Sequence, residues 1–234
     1  SSSRLRYCAN WKCCLMVDTS RLHIAPYSES EEVANVITHG FGALLATLGF
    51  YFLSVEASLT GDLWKIGSSI VFGLCMIICY ISSTLYHAVI NLEMKHRMRI
   101  ADHIGIYLMI AGSYTPFVVV TMGGWIGWTF FVLIWGCAII GIFARLWNRN
   151  VPEYVSATPY VIMGWLALIA IKPLFDSIGW EGINLILLGG VFYTIGVLFY
   201  RADNFPFNHA IWHLFVLAGS ITHYFAILNS VIQS

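Results

Sequence analysis

His209 and His213 are the residues whose type and spacing point most directly to metal chemistry. They lie four positions apart in the stretch Phe207-Asn208-His209-Ala210-Ile211-Trp212-His213. On an α-helix this spacing places both imidazoles on one face, one turn apart, where they can bind a single metal ion. By itself the pair is equally compatible with two polar side chains that face the interior of a helix bundle. The positions of the other polar residues decide between these interpretations.

The composition is that of a membrane protein. Of the 234 residues, 59% are hydrophobic and 10% are charged, and the mean hydropathy is +0.76. A soluble domain usually carries about 25% charged residues. The apolar runs reach about 20 residues, the length that a helix needs to cross a bilayer. The formal net charge is zero, so no basic surface favours a nucleic-acid partner.

We therefore predict an all-α fold, a polytopic membrane protein with a seven-transmembrane helix bundle. Residues 28–234 form this domain, and residues 1–27 form a polar leader outside the fold. Ser28 followed by acidic residues marks the start of the first helix. Breaks are expected at Gly123-Gly124, between spans three and four, and at Gly179 to Gly182, between spans five and six. The expected spans are about 34–55, 65–88, 102–121, 125–146, 155–175, 182–200 and 208–231.

The basic residues predict the orientation in the membrane. If the N-terminus is cytoplasmic, every lysine and arginine except Lys65 and Lys172 falls on the cytoplasmic side. This distribution follows the positive-inside rule. We expect a protein of the cell membrane with its N-terminus inside and its C-terminus outside. The basic residues counted as cytoplasmic are Arg4, Arg6, Lys12, Arg21, Lys95, Arg97, Arg99, Arg145, Arg149 and Arg201.

This topology brings four metal-competent side chains to one depth. His87 ends the second span, Asp102 begins the third, and His209 and His213 begin the seventh. Three histidines leave an open position on zinc, which is typical of a catalytic site. Asp102 could orient or deprotonate a water molecule, or hold an imidazole from behind. Alternatively, it could cap the third helix, where a carboxylate is favoured.

Ser83 precedes His87 by one helical turn and shares its helix face. Its hydroxyl could stabilise a developing oxyanion or bond back to its own helix. Asn35 and His39, at the cytoplasmic end of the first span, could line the same cavity or could be ordinary helix-end polar residues. His103 and His223 are expected to lie outside the metal site, because helix geometry turns or moves them away from it.

These motifs together resemble the haemolysin III family, the bacterial branch of the progestin and adipoQ receptor family, which is related to the alkaline ceramidases. The resemblance covers about residues 28–231. It rests on four motifs: Ser83-x-x-x-His87, Asp102, the segment from Glu32 to Gly42 at the start of the first helix, and the segment from Phe205 to His213 before and within the last span. The resemblance implies that His87, His209 and His213 bind Zn²⁺ directly. It also implies that Asp102 reaches the metal through a water and that Ser83 lies beside it.

The resemblance leaves three functions open. The first is a zinc-dependent intramembrane hydrolase that cleaves a lipid amide or ester, with Asp102 and Ser83 as its catalytic residues. The second is a zinc-stabilised membrane receptor or sensor. The third is a membrane-lytic protein, which the family name suggests but which seven long apolar spans disfavour for a secreted pore former. The expected partners are membrane lipids, and no feature of the sequence indicates the oligomeric state.

Overall fold

The computed structural model describes residues 27–148, 153–202 and 206–234, and within these ranges the chain is helical with short connections. Residues 1–26 of the predicted leader lie outside the described residues, as do 149–152 and 203–205. The leader, its basic residues and Arg149 therefore stay predictions. Tyr27, which the sequence assigned to the leader, is described and contacts His209.

The described residues form a succession of α-helices with short turns between them. The helices are α1 Glu29–Thr60, α2 Leu63–Ala88, α3 Leu92–Pro116, α4 Gly124–Trp147, α5 Glu153–Trp165, α6 Ile171–Tyr200 and α7 Asn208–Ile227. A π-helical stretch, Phe117–Met122, extends α3, and another, Leu228–Ile232, extends α7. A 3₁₀ turn, Leu166–Ala170, joins α5 to α6. The all-helical membrane fold predicted from the sequence is confirmed for the described residues.

The count of seven spans is not confirmed. Six helical segments of the described chain are long and apolar enough to cross a membrane, and Ala157–Tyr200 counts as one of them. That segment has 44 residues, which as a continuous helix would span about 66 Å, twice the hydrocarbon thickness of about 30 Å. Its backbone is not helical at Gly179.

Gly179 has almost the same backbone conformation as Gly123. The dihedrals are φ 62° and ψ −169° at Gly179 and φ 53° and ψ −166° at Gly123. Gly123 separates the α3 segment from α4, and glycine tolerates this positive φ because it lacks a Cβ. The shared conformation supports a second turn between spans at Gly179. The seven-span topology stays a prediction, and this turn is the structural argument for it.

Helix α3 begins about ten residues earlier than the sequence indicated. Asn91 caps it through its side chain, which accepts from the Met94 N–H. The predicted spans 65–88 and 102–121 left residues 89–101 as a connection, but Lys95 and Arg99 of this stretch are buried on the first turns of α3. The alternative that Asp102 caps this helix is excluded as well, since Asp102 lies in its third turn.

Helices α2 and α3 approach closely where α3 carries glycine. A Cβ at Gly105 would lie 2.8 Å from the Cα of Cys79, and one at Gly112 would lie 2.7 Å from the Cβ of Cys75. Both cysteines are buried free thiols, so they pack between the two helices. The close approach places Asp102, one turn before Gly105, against the half of α2 that carries the predicted site residues.

The two ends of the bundle differ in their polar contacts. At one end the Lys65 ammonium, at the start of α2, donates to the carbonyls of Ile232 and Ser234. At the other end α2 finishes beside the starts of α1, α3 and α7. A capping box of Ser28 and Glu31 begins α1, and the Glu31 carboxylate accepts from the Phe207 N–H at 3.1 Å. The predicted metal ligands lie at this second end.

Candidate metal centre

Three imidazoles converge where α2 ends and α7 begins. One nitrogen of each of His87, His209 and His213 lies within 4.8 Å of the others, and all three side chains are buried. His87 comes one residue before the end of α2, and the other two occupy the first two turns of α7. Nε2 of His87 lies 3.2 Å from Nε2 of His209. Two nitrogens on a tetrahedral zinc ion are about 3.3 Å apart, given Zn–N bonds of about 2.0–2.1 Å.

The Nδ1 atom of His213 faces α1, and its Nε2 atom is left for another partner. The Thr38 hydroxyl donates to the carbonyls of Ala34 and Asn35, so its oxygen accepts from the His213 Nδ1–H at 3.0 Å. This bond fixes the tautomer with a lone pair on Nε2. Nε2 of His213 is buried without a hydrogen-bond partner among the described residues. A buried imidazole lone pair with no protein donor fits a metal ligand.

The other two imidazoles are held through Nδ1 in the same way. The His87 Nδ1–H donates to the Glu32 carboxylate at 2.6 Å, and Nδ1 of His209 lies 2.7 Å from the Tyr27 hydroxyl. Partners on Nδ1 leave the Nε2 atoms to face one another. The segment Tyr27–Thr38 thus supplies a hydrogen-bond partner to each of the three histidines, an arrangement that orients ligands in metal sites.

A buried lysine completes the arrangement behind His87. The Lys95 ammonium lies 2.8 Å from the Glu32 carboxylate, and its side chain is only 10% exposed. It also donates to the carbonyls of Tyr86, His87 and Val89 at 3.2–3.4 Å. A cation at the C-terminus of α2 is favoured by the unpaired carbonyls there. Lys95 therefore joins α3 to the end of α2 and to the carboxylate that holds His87.

Asp102 and Ser83 lie near this group but outside it. Among the described residues the convergent group contains only the three histidines, so the structure does not bring Asp102 to direct ligand distance. Asp102 is 4% exposed and lines a cavity together with His39 and Cys79. The Ser83 hydroxyl is fully buried and has no hydrogen-bond partner in the described chain. The water-mediated role of Asp102 and the catalytic role of Ser83 stay predictions.

A cavity of about 130 Å³ with an almost wholly apolar wall lies next to His39, whose ring stacks on that of His213; His87, His209 and His213 themselves do not line it. Side chains from α3, the α5–α6 segment and α7 form most of it. His39 and Asp102 line it at the end nearest the three histidines, and residues such as Phe117 and Leu174 line it farther along the helices. A space of this character suits an acyl chain better than a polar metabolite.

Two further histidines lie outside the metal group, as the sequence predicted. The His103 Nδ1–H donates to the carbonyl of Arg99 at 2.7 Å. The His223 Nε2–H donates to the carbonyl of Ile186 at 3.2 Å. Each of these two imidazoles thus donates one N–H to a backbone carbonyl.

Sequence reasoning assigned no role to Tyr27, Glu32, Thr38 or Lys95. Glu32, Asn35 and His39 recur at intervals of three and four residues, the spacing of one helix face. That periodicity was the available signal for a polar face of α1 that points at the histidines. For Tyr27 and Lys95 the sequence carried no comparable signal, because their contacts cross to distant elements.

Comparison with known proteins shows the family to which the chain belongs. The family model described as Haemolysin-III related matches residues 27–224. The chain is 41% identical to the Hemolysin-3 homolog of Bacillus subtilis over 86% of this chain and 95% of that protein. It is 42% identical to Hemolysin-3 of Bacillus cereus over 87% and 93% of the two chains. It is 29% identical to the human Monocyte to macrophage differentiation factor over 87% and 86%.

The match to the family model spans nearly all of the described residues, including the three histidines and the α1 face that holds them. The bacterial relatives are covered almost end to end. The chain therefore belongs to the haemolysin III family.

Proposed function

We propose that the protein is a zinc-dependent intramembrane hydrolase of a lipid amide or ester. The observation that carries this proposal is the convergence of three buried imidazole nitrogens next to His39, which lines an apolar cavity together with Asp102. Three protein ligands leave a position open, as catalytic zinc sites do. The cavity supplies what a lipid enzyme needs, a space between helices for an acyl chain.

The proposed roles follow from side-chain chemistry. His87, His209 and His213 would hold Zn²⁺ through Nε2 and would remain neutral. Bound zinc supplies Lewis acidity, which makes a water molecule nucleophilic at neutral pH. Asp102 would accept a proton from that water and pass it to the departing group. The Ser83 hydroxyl, which has no bond to its own helix in the described chain, would donate to the carbonyl oxygen of the substrate.

Two measurements on purified protein test the proposal. Elemental mass spectrometry is expected to find about one zinc per chain in the wild type, and none in His209→Ala or His213→Ala. Release of fatty acid from long-chain amides and esters is expected to need zinc. Asp102→Asn should keep the metal and lose about 10²-fold or more of the hydrolysis rate, the usual contribution of a general base. Wild-type protein that is well folded and free of metal would sink the proposal.

A second candidate is a protein in which zinc has a structural role, as in a receptor or sensor. The observation that favours it is that the three ligands tie α2 to α7 while their Nδ1 partners tie both to the Tyr27–Thr38 segment. In that case zinc removal would unfold the protein, and the wild type would release no fatty acid from any lipid offered.

Membrane lysis, which the names of the Bacillus relatives suggest, is tested separately. Purified protein would be added to dye-loaded liposomes. Dye release that is equal for wild type and His213→Ala would show that lysis does not depend on the metal site.

A further inference from the structure

His39 is the buried histidine of α1 that lies between the metal ligands and the cavity. Its side chain is 2% exposed. Its ring stacks on that of His213, with ring centres 3.4 Å apart and planes 15° apart, and it contacts the edge of Tyr80 at 5.0 Å. It also lines the cavity together with Asp102. One face of the His39 ring is therefore covered by the ring of His213. The two nitrogens of His39 point outward in the ring plane, so the stacking does not block them.

Neither ring nitrogen of His39 makes a well-aligned hydrogen bond to a described residue, although the backbone of His213 lies near the ring. The other buried histidines of the described chain, His87, His103, His209 and His213, each have at least one. Buried polar groups are bonded in the great majority of cases, and an exception calls for an explanation. The Ser83 hydroxyl, at the same end of the bundle, is a second buried exception. Ser54 and Ser69, toward the other end of the bundle, are further exceptions, but His39 is the one that lines the cavity.

A role as a fourth metal ligand does not explain His39. The group of convergent nitrogens contains only His87, His209 and His213 among the described residues. In addition, a ring that stacks face to face on His213 presents its π-face to that ligand, whereas a metal binds to an imidazole in the ring plane. His39 is instead a residue of the cavity wall. A hydrogen-bond partner for its nitrogens therefore has to come from a molecule that occupies the cavity.

We propose that His39 is a substrate-binding residue, which hydrogen-bonds the polar group of a lipid whose chain lies in the cavity. A neutral imidazole presents one donor and one acceptor. Because the two nitrogens point away from each other, one lipid group meets only one of them. A carboxamide or a hydroxyl can bond either nitrogen, as acceptor or as donor, whereas an ester can only accept from the N–H. The assignment of this lipid as the substrate rests on the proposed hydrolase function, but the binding itself does not require turnover.

The test is a binding measurement that needs no hydrolysis. The protein in phosphatidylcholine nanodiscs is titrated with 9,10-dibromostearamide, whose bromine atoms quench tryptophan. Trp165 and Trp212 line the cavity and report its occupancy in a background in which the seven other tryptophans are replaced by phenylalanine, because bromolipid in the bilayer would quench the exposed ones directly. His39→Phe keeps a ring that stacks on His213 and removes both nitrogens. We expect it to weaken binding of the amide about tenfold, the effect of losing one buried hydrogen bond, with zinc content unchanged.

Two variants and one ligand serve as controls. His39→Gln keeps a donor and an acceptor and should retain most of the affinity. His223→Phe changes the other cavity histidine, whose Nε2 is already bonded to Ile186, and should change the affinity less than about twofold. Methyl 9,10-dibromostearate, which cannot donate, should bind wild type and His39→Phe with more similar affinities than the amide does. Should the phenylalanine variant fail to fold, His39→Met gives the same comparison.

Three outcomes would overturn the assignment. The first is no quenching of the wild type by the amide. The second is wild-type affinity in a zinc-loaded His39→Phe protein. The third is loss of zinc together with loss of binding in His39→Phe, which would make His39 a part of the metal site. A protein that hydrolyses none of the lipids offered, but binds the amide through His39, would reject the hydrolase and leave the binding residue in place.

Discussion

Glu32 and His87 form a close pair, with a carboxylate oxygen 2.6 Å from Nδ1 of the imidazole. The second oxygen of the same carboxylate lies 2.8 Å from the Lys95 ammonium. A single side chain of α1 thus connects a cation on α3 with a metal-competent histidine on α2. The carboxylate accepts from Nδ1, so the tautomer that leaves Nε2 free is the favoured one.

Removing the charge of Glu32 should weaken metal binding without removing a ligand. Glu32→Gln keeps the shape of the side chain but offers a weaker acceptor to His87. We expect the zinc affinity to fall about 10–100-fold, the usual effect of losing such a partner, as measured by competition with a chelator. Glu93→Gln is the matched control, because Glu93 is 77% exposed and pairs only with Arg97 in the described chain. Equal affinities in the two variants would count against the orienting role.

Lys95 should matter for stability more than an exposed lysine does. Lys95→Met leaves the Glu32 carboxylate half-buried without its cation and leaves the end of α2 without its donor. Breaking a buried pair costs about 3 kcal/mol or more, measured as the free energy of unfolding in mixed micelles. Arg97→Met, which breaks an exposed pair on the same helix, should cost less than about 1 kcal/mol. A double variant with Glu32→Gln should cost less than the sum of the two single changes.

Zinc should leave the protein on acidification. An imidazole binds metal only when neutral, and its reference pKa is about 6.5. Zinc-dependent stability is therefore expected to be fully present at about pH 8 and to be lost as the pH falls below about 6, because protons then compete for three ligands. The measurement is zinc content after dialysis at each pH, together with Tm. His209→Ala should show no zinc-dependent step in Tm. Full occupancy at about pH 4 would contradict a site made of three histidines.

The sequence predicted correctly that His87, His209 and His213 lie close together, because this requires only helical spacing and the order of the spans. His209 and His213 share a helix face by spacing alone, and His87 comes to the same depth once the order of the spans is known. The start of α3 was misplaced because hydropathy marks where a helix enters lipid, whereas the helix itself begins at the Asn91 cap. The buried positions of Lys95 and Arg99 follow from that earlier start.

The surroundings of the histidines were not predictable in the same way. Tyr27 reaches His209 across 182 positions of the chain, and Thr38 reaches His213 across 175. Such contacts depend on the rotation of α1 about its axis, and a helix that is apolar on most sides does not specify its rotation through hydrophobic periodicity. The polar residues of α1 carried that information, but only the fold shows which partners they meet.

The topology of the segment Ala157–Tyr200 is open to a direct test. If the chain turns at Gly179, Ser177 lies at the outer surface, as do Ser58 and the C-terminus, and Glu93 lies inside. Single cysteines at these positions, in a background with the six native cysteines replaced, would be treated with a membrane-impermeant maleimide on intact cells. Ser177→Cys and Ser58→Cys should react, and Glu93→Cys should react only after permeabilisation. An unreactive Ser177→Cys beside a reactive Ser58→Cys would indicate that Ser177 lies within the bilayer, and reaction of Glu93→Cys alone would reverse the orientation.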